Sequence, residues 1–360
     1  EYISFRVMRN INIPRIMGIP NPFKYQRVCF ELKENWEKIR IHFHVQTEDH
    51  KYRVSRIHIR KEHDQKRIFE MNYKNWREDG NPELDLLMHD KGTSRLLVKA
   101  DISTCFPSIY THSIPWALVG RLEAKQNVHK DTWYNRIDET CSDMRNGETH
   151  GLLIGPHASN LLSEIILTAV DQKLYGMGYR YVRNIDDYDC YVCSHDEAQR
   201  FLKDLEEVLL EFDLPMNHKK TRIIELPIGI EKNWKHQLSD LPKVGTSGMV
   251  EYPQVNMYID TALNLATETG DFAIINYAIK KLKGENLSEN GNKLAAKRFM
   301  HMAVLYPYLL HLIEEFVFIP YKVDASSIKA FSDTIYRNAV SVNDYESLCY
   351  SIYYAIRFNF

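Results

Sequence analysis

The sequence lacks a long apolar run, a disulfide pattern and a strong net charge, and each absence excludes a class of protein. No apolar segment reaches the length of a membrane-spanning helix, and the N-terminal residues EYISFRVMRN lack the apolar core of a signal peptide. The six cysteines are irregularly spaced, which excludes a disulfide framework and favours a reducing, cytoplasmic location. A net charge of −2 argues against indiscriminate coating of nucleic acid.

A zinc site at Cys190-Tyr-Val-Cys193 is also disfavoured. No second pair of cysteines or histidines follows at zinc-finger spacing, and two residues three apart on a strand face opposite sides. The chain of 360 residues, 44% hydrophobic and 26% charged, is long enough for two or three globular cores.

Positive charge is concentrated in one place. Between Lys51 and Arg67 there are seven Lys or Arg residues against two acidic ones. Such a basic strip on a nearly neutral chain suits a site that handles phosphates locally, although a solvated strand face explains any single Lys or Arg equally well.

Hydrophobic periodicity predicts an α+β region followed by an all-helical one. Two strands are expected within 51–73, and others at 96–102, 179–194 and 221–228, with helices at 22–39, 113–125, 133–146, 157–176 and 197–212. This order favours an antiparallel sheet packed on helices. From about residue 236 onward every segment has the pattern of an amphipathic helix. The short sequence similarity, or echo, between the segments that begin at Asp271-Phe272 and at Asp344-Tyr345 is compatible with either an α-solenoid or a plain helical bundle.

The stretch YRYVRNIDDYDCYVCS, residues 179–194, places the carboxylates Asp186 and Asp187 between two strand-like runs. Aspartate is common in turns, which is one explanation for the pair. Another carboxylate, Asp101, ends the apolar strand LLVKAD, where a turn or helix-cap role is the simple alternative. Carboxylates from two neighbouring strands can hold two Mg²⁺ ions, which stabilise the attacking and leaving oxygens of an in-line phosphoryl transfer.

Four segments in this order resemble the palm motifs of the reverse transcriptase family. They are ADISTCFPSI, GLLIGPHASNLLSEIIL, NIDDY and LPMNHKKTRI, and RIMGIPNP and RIHIRKEHDQKRIF add weaker agreement toward the N-terminus. The resemblance implies a right-hand polymerase with fingers and an N-terminal extension at 1–94, a palm at 95–235, and a helical C-terminal domain at 236–360 replacing a conventional thumb.

The family's motifs also imply roles for individual residues. Asp101 and Asp186 would be the main ligands of two Mg²⁺ ions (or Mn²⁺), with Asp187 and Ile102 beside them. Lys220 would lie near the triphosphate and protonate the leaving pyrophosphate.

The resemblance implies a nucleotide site next to these ligands. Phe106 would be a steric gate under the sugar, which implies deoxynucleotide substrates, and Ile102 would contribute to the same site. Gly155 and Pro156 would open a helix beside the template–primer pair. Lys61 and Arg67 would clamp the β- and γ-phosphates, a task that suits the fork of arginine.

Two departures from the family pattern concern the primer end and the template base. Asn184 replaces an aromatic residue and Ile154 replaces a glutamine. The chain is most similar to bacterial abortive-infection and related defence reverse transcriptases. Membership of that group would imply a role in antiphage defence and a DNA product. The template would be an RNA or a bound noncoding RNA, or it would be unusual or absent, and a protein tyrosine is a possible primer. The partner would be a second copy of the chain or another component of a defence complex.

Two alternatives remain. One is a catalytically silent scaffold that binds nucleic acid or a partner, against which the four intact residues Asp101, Asp186, Asp187 and Lys220 argue. The other is a mobile-element enzyme of the intron or retron type. The balanced charge of residues 228–360, 13 basic against 14 acidic, disfavours it because no basic tail follows the fourth motif.

Overall fold

The chain forms two compact units in the computed structural model, which describes residues 1–8, 14–44, 55, 57–59, 69–71, 84–89, 92–229, 233–245 and 248–360. The sheet unit comprises Glu1–Ile3 and Gly18–Ile228, and the helical unit comprises Ser4–Met17 and Gly229–Phe360. Within the described ranges, none of the helices combines the length and apolar character needed to cross a bilayer.

Short strands and helices alternate as far as residue 228, which confirms the predicted mixed α+β class. In chain order they are β1 (Ile3–Met8), β2 (Pro14–Ile19), α1 (Pro22–Glu34), α2 (Trp36–His44), β3 (Ile57–Ile59), β4 (Phe69–Met71), α3 (Leu84–Leu87), β5 (Met88–His89), β6 (Gly92–Thr93), β7 (Leu96–Asp101), α4 (Cys105–Ser108), α5 (Ser113–Val119), α6 (Arg121–Gln126), α7 (Trp133–Met144), α8 (His157–Gly176), β8 (Tyr181–Asn184), β9 (Asp187–Val192), α9 (His195–Leu210) and β10 (Arg222–Glu225).

A four-stranded antiparallel sheet in the order β10-β7-β9-β8 organises the sheet unit. The inner strand β7 is buried on both faces because its sequence, LLVKAD, is apolar at successive positions. Leu96 and Val98 point into the main core, while Leu97 packs with Val182 and Tyr191 on the opposite face. The sheet is therefore covered on both sides, and its strand ends are held in fixed positions.

Helix α8 is the most buried helix of this unit. Its core side includes Leu162, Ile165 and Ile166, which are fully buried in the same cluster as the β7 side chains. Two carboxylates of the same helix, Glu164 and Asp171, are each only 3% exposed. Buried carboxylates need hydrogen-bonding partners, and Arg183 and Tyr181 of β8 supply them.

Two predicted helices are each interrupted by one residue. The helix expected at 22–39 divides at Asn35, whose backbone N–H and side-chain amide both donate to the carbonyl of Glu31. The helix expected at 113–125 divides at Gly120, whose φ of +90° lies outside the helical region. Both breaks are local capping events that hydrophobic periodicity does not register.

The helical unit confirms the predicted all-helical C-terminal region. Its elements after residue 228 are α10 (Asn233–Ser239), α11 (Tyr252–Thr269), α12 (Ala273–Leu282), α13 (Glu289–Leu305), a 3₁₀ turn (Pro307–Leu309), α14 (Leu310–Ile313), a π-helical turn (Glu314–Phe318), α15 (Ala325–Val342) and α16 (Tyr345–Phe358). Helix α13 ends at Leu305 because Pro307 has no N–H to continue it.

The echo between residues 271 and 344 corresponds to two similar turns between helices. Each turn begins with a left-handed residue, Gly270 at φ +67° and Asn343 at φ +55°. The next residue then caps the following helix: Asp271 accepts from the N–H of Ala273 at 3.1 Å, and Asp344 accepts from that of Glu346 at 3.2 Å. The repeat therefore specifies two helical hairpins, α11–α12 and α15–α16.

Replacing Glu346 by Gln should stabilise the helical unit at alkaline pH. Among the described residues, Oε2 of Glu346 is buried without a hydrogen-bond partner. Burial and the neighbouring Asp344 raise its pKa to about 7. A carboxyl whose folded pKa exceeds its unfolded pKa favours the folded state while protonated, and this stability is lost as the pH rises through about 7.

Thermal unfolding followed by circular dichroism should therefore show little difference between Glu346→Gln and the parent at about pH 5, and a higher midpoint for the variant at about pH 8. The exposed Glu268 provides the control, since Glu268→Gln should shift the midpoint equally at both pH values. An equal effect of Glu346→Gln at both pH values would contradict the assignment.

Candidate active site

The pairing of β7 with β9 brings two of the predicted carboxylates face to face. In this register Asp101 lies directly opposite Asp187. Residues opposite each other on antiparallel strands point to the same face with their Cβ atoms about 4.5–5.5 Å apart. Asp101 is 5% exposed, so the cluster opens to solvent mainly on its Asp186–Asp187 side.

Asp186 occupies the turn between β8 and β9. Because Asn184 pairs with Asp187, the turn has two central residues, Ile185 and Asp186. The carbonyl of Asp186 accepts a hydrogen bond from the N–H of Ile102 at 3.1 Å. The end of β7 is thereby tied to the turn, and all three carboxylates predicted from the sequence lie around this junction.

The fourth motif closes over Asp101. The side-chain amide of Asn217 donates to Oδ1 of Asp101 at 2.8 Å, and Nζ of Lys220 donates to Oδ2 at 2.6 Å. The backbone N–H of Asn217 also donates to the Asp101 carbonyl at 2.7 Å, and Met216 forms a β-bridge with Ile102. Both oxygens of Asp101 are therefore fixed in orientation.

Negative charge dominates the electrostatics of the cluster. Burial, a hydrogen bond with Asp101, and the charges of Asp186 and Asp101 raise the pKa of Asp187 to about 7, against the opposing effect of Lys220. The hydrogen bond to Asp101 raises the pKa of Lys220, which stays protonated. Among the described residues, one lysine thus faces three carboxylates, and the cluster has an excess of negative charge.

This donor set fits hard divalent cations. In the part of the chain that the structure describes, no group of three or more His, Cys, Asp or Glu side chains is arranged so that protein ligands alone could hold a metal ion. Magnesium in phosphoryl-transfer sites, however, takes one or two carboxylates and completes its shell with water and substrate phosphates. Asp101 and Asp187, with Asp186 in the adjoining turn, offer such oxygen ligands, and the raised pKa of Asp187 marks the charge that a cation would neutralise.

Four of the six residues predicted to contact the nucleotide, Ile102, Phe106, Gly155 and Pro156, lie in the described part of the chain. Phe106 is half-buried in α4, and its carbonyl accepts from the N–H of Leu152 at 2.7 Å, which ties the first motif to the second. Gly155 is exposed with φ +125°, a conformation suited to glycine, and Pro156 caps the start of α8. Lys61 and Arg67, the predicted phosphate clamp, lie outside the described residues.

Sequence reasoning missed two features of this site. Asn217 stood within the fourth motif but received no role, although its place three residues before Lys220 puts it in the same turn. The buried Arg183 was also passed over; a single arginine in the strand sequence YVRN was the available signal, because an arginine this deeply buried is unusual without acidic partners.

The covered antiparallel sheet, with carboxylates at the ends of two adjacent strands, has the architecture of a nucleic-acid polymerase palm. A family model described as reverse transcriptase (RNA-dependent DNA polymerase) matches residues 30–252, more than half of the chain. The chain therefore belongs to the reverse transcriptase family, whose members are nucleotidyltransferases.

Solved structures with a detectable likeness include telomerases of two yeasts. The apo telomerase of Candida tropicalis truncated from its C-terminal domain is 16% identical, with a TM-score of 0.39 over 61% of this chain and 49% of that one. The Candida tropicalis and Candida albicans telomerases in complex with a fragment of telomeric RNA are 14% and 13% identical, with TM-scores of 0.43 and 0.40, over 98% and 97% of this chain and 64% of each of theirs.

The chain thus spans about half the length of the truncated telomerase and less than two thirds of the other two chains. No curated protein sequence matches it at a significant level. The family assignment rests on the match over residues 30–252.

Replacing Gly151 by Ala should destabilise the junction of the first two motifs. Gly151 has φ +90°, and a Cβ there would overlap the guanidinium of Arg145 and lie 3.0 Å from the carbonyl oxygen of Pro107. Gly147 provides a matched control, because its φ of +88° is nearly the same but a Cβ there meets no atom within 4 Å.

Both alanine variants carry the cost of a positive φ. The difference between their free energies of unfolding therefore measures the cost of the close contacts between the new Cβ at residue 151 and its neighbours. Urea unfolding should show that Gly151→Ala is less stable than Gly147→Ala by about 1–3 kcal/mol. Equal losses would mean that the Arg145 side chain moves aside without cost.

Proposed function

We propose that the protein is an RNA-directed DNA polymerase that uses deoxynucleoside triphosphates and divalent cations. The observation that carries this proposal is the convergence of Asp101, Asp186 and Asp187 at one end of β7 and β9, with Lys220 bonded to Asp101. A silent scaffold would have no need for three carboxylates placed so that Asp101 and Asp186 raise the pKa of Asp187.

The metal ligands in this proposal are Asp101, Asp186, Asp187 and Ile102. Two Mg²⁺ ions, or Mn²⁺ in their place, would supply charge stabilisation to the attacking and leaving oxygens. The protein's own contribution is to hold the carboxylates rigidly: Asn217 and Lys220 orient Asp101, and the β7–β9 pairing orients Asp187.

Lys220 is the proposed general acid for pyrophosphate. Its ammonium is protonated through its bond to Asp101, yet the side chain is 63% exposed and free to turn toward a bound triphosphate. In that position the Lys220 ammonium would donate a proton to the departing pyrophosphate oxygen.

The remaining parts of the proposal follow the sequence resemblance. Phe106 excludes the 2′-hydroxyl, Gly155 and Pro156 face the template–primer pair, and Lys61 with Arg67 binds the triphosphate. The fingers and N-terminal extension occupy residues 1–94, the palm 95–235 and the helical domain 236–360. The biological role is antiphage defence of the abortive-infection type in the cytoplasm, with an RNA template or bound noncoding RNA, a DNA product, and a homo-oligomer or defence-complex partner.

Substituting the carboxylates tests the catalytic assignment. Asp101→Asn or Asp186→Asn should reduce Mg²⁺-dependent incorporation of labelled deoxynucleotides by about three orders of magnitude or more, because the ligands act as a unit. Asp189 is the control: it lies on the same strand β9 but pairs with Lys99 at 2.8 Å, so Asp189→Asn should keep most of the activity. Incorporation that survives Asp186→Asn would refute the assignment.

The same assay distinguishes the modes of synthesis. Activity that requires added RNA indicates a templated polymerase, and activity lost after RNase treatment of the purified protein indicates a bound RNA. Product that stays with the protein after denaturation and is released by protease indicates a protein primer.

Replacing Phe106 by Val tests the sugar contact. The smaller side chain leaves room for a 2′-hydroxyl, so the kcat/KM for ribonucleotides relative to deoxynucleotides should rise by about tenfold or more. Phe43, also half-buried against the same core but on α2, is the matched control. An unchanged ratio in Phe106→Val would remove Phe106 from the sugar site.

A further inference from the structure

A buried guanidinium lies behind the predicted metal ligands. Arg183, in β8, has no exposed surface, and its side chain points away from solvent toward helix α8. There Nη2 donates to Asp171 at 2.6 Å and to Glu164 at 2.9 Å, while Nε donates to both oxygens of Asp171 at 3.0 Å. Two carboxylates about two turns apart on one helix face therefore fix the plane of the guanidinium.

The remaining nitrogen of Arg183 reaches the catalytic turn. Nη1 donates to Oε2 of Glu164 at 3.1 Å and to the backbone carbonyl of Ile185 at 2.9 Å. Ile185 directly precedes Asp186 and Asp187. A continuous set of hydrogen bonds thus runs from the long helix α8 through Arg183 to the peptide that carries the two carboxylates.

The turn itself is strained, which explains why it needs such a contact. Ile185 has φ +58°, a region that β-branched residues avoid, and φ is positive at the first central residue only. This is the pattern of a type II′ hairpin turn, where glycine is the usual residue. Strained residues of this kind persist when the surrounding structure holds them in place.

Two more residues complete the cluster. Tyr181, on the same face of β8, donates its hydroxyl to Asp171 at 2.9 Å. Ser55, which forms a bridge with the backbone of Arg183, donates its hydroxyl to Glu164 at 2.6 Å. Ser55 belongs to the basic strip of residues 51–67, of which the structure describes Ser55 and Ile57–Ile59.

We propose that Arg183 is a positioning residue for the polymerase reaction. Held by Glu164 and Asp171, its guanidinium fixes the Ile185 carbonyl, maintains the strained turn, and so sets where Asp186 and Asp187 stand relative to Asp101. The inference rests on the proposed function, since it concerns the same carboxylates, but Arg183 itself touches neither substrate nor metal.

Arg183→Lys is the main test because it keeps the buried positive charge while removing the planar fork. The expected result is a kcat lowered by about 10–100-fold, as is typical when a residue that supports metal ligands is lost. The KM for deoxynucleotides should stay within about threefold of the parent value, because the residues assigned to the nucleotide are unchanged. The affinity for Mn²⁺, measured by electron paramagnetic resonance, should fall by about 10–100-fold.

Leu205→Ala is the matched control for general destabilisation. Leu205 is fully buried in the same core, but it lies on α9 and has an apolar side chain that takes no part in the cluster. This variant should lower the thermal midpoint at least as much as Arg183→Lys and leave kcat and Mn²⁺ affinity of the folded protein unchanged. An equal loss of kcat in Leu205→Ala would overturn the proposal.

A neutral variant covers the case in which Arg183→Lys does not fold. Glu164→Gln, Asp171→Asn and Arg183→Met together remove all three charges, so no unpaired charge stays buried. The variant should fold and show the same loss of kcat and of Mn²⁺ affinity. A kcat and an affinity within about threefold of the parent, in either variant that folds, would overturn the proposal.

The two readouts separate this inference from the proposed function. If the parent protein incorporates no nucleotide under any condition, the polymerase assignment fails. Weakened Mn²⁺ binding in Arg183→Lys would still support the role of Arg183 in placing the carboxylates. If the parent polymerises and Arg183→Lys matches it in both readouts, only the positioning role fails.

Discussion

The register of β7 against β9 is the constraint on which the site depends, because it forces two carboxylates, Asp101 and Asp187, to face each other at one end of the two inner strands of a buried sheet. Like charges directly opposite each other destabilise a strand pair. Two features reduce this repulsion. Lys220 and the Asn217 amide both donate to Asp101, and the pKa of Asp187 is raised to about 7, so that its carboxyl group is partly protonated near neutral pH. The remaining negative charge at this end of the sheet would be neutralised by a bound cation.

The turn between β8 and β9 also contains a residue whose backbone conformation is unfavourable for its side chain. Ile185 takes a conformation suited to glycine, and the carbonyl of this residue is held by the buried Arg183. Removing one partner of such a buried charge cluster typically costs about 3–5 kcal/mol. The strained turn that carries Asp186 and Asp187 is thus held from its buried side by an ion cluster, and α8 contributes both acids of that cluster.

The extent to which the sequence predicts this arrangement differs between residues. Hydrophobic periodicity, a local signal, was enough to predict the sheet and the helical region. The proximity of Asp101 to the hairpin acids was predicted from their places at strand ends and from the order of the motifs. The opposition of Asp101 with Asp187 rather than Asp186 depends on a two-residue turn at Ile185, which turn statistics disfavour because the residue is β-branched. Arg183 was missed for a similar reason, as its partners lie 12 and 19 residues away on another element.

In the helical unit, the sequence predicts where helices begin but not how they pack together. The echo at Asp271 and Asp344 was visible in the sequence because each aspartate caps a helix after a left-handed residue. Capping chemistry fixes where a helix begins but not how hairpins pack on each other. Packing is decided by the shapes of buried faces, such as Phe318 against Phe331 and Tyr354, which hydrophobic periodicity alone does not distinguish from any other apolar stripe. Helix positions were therefore predictable, and their assembly required the structure.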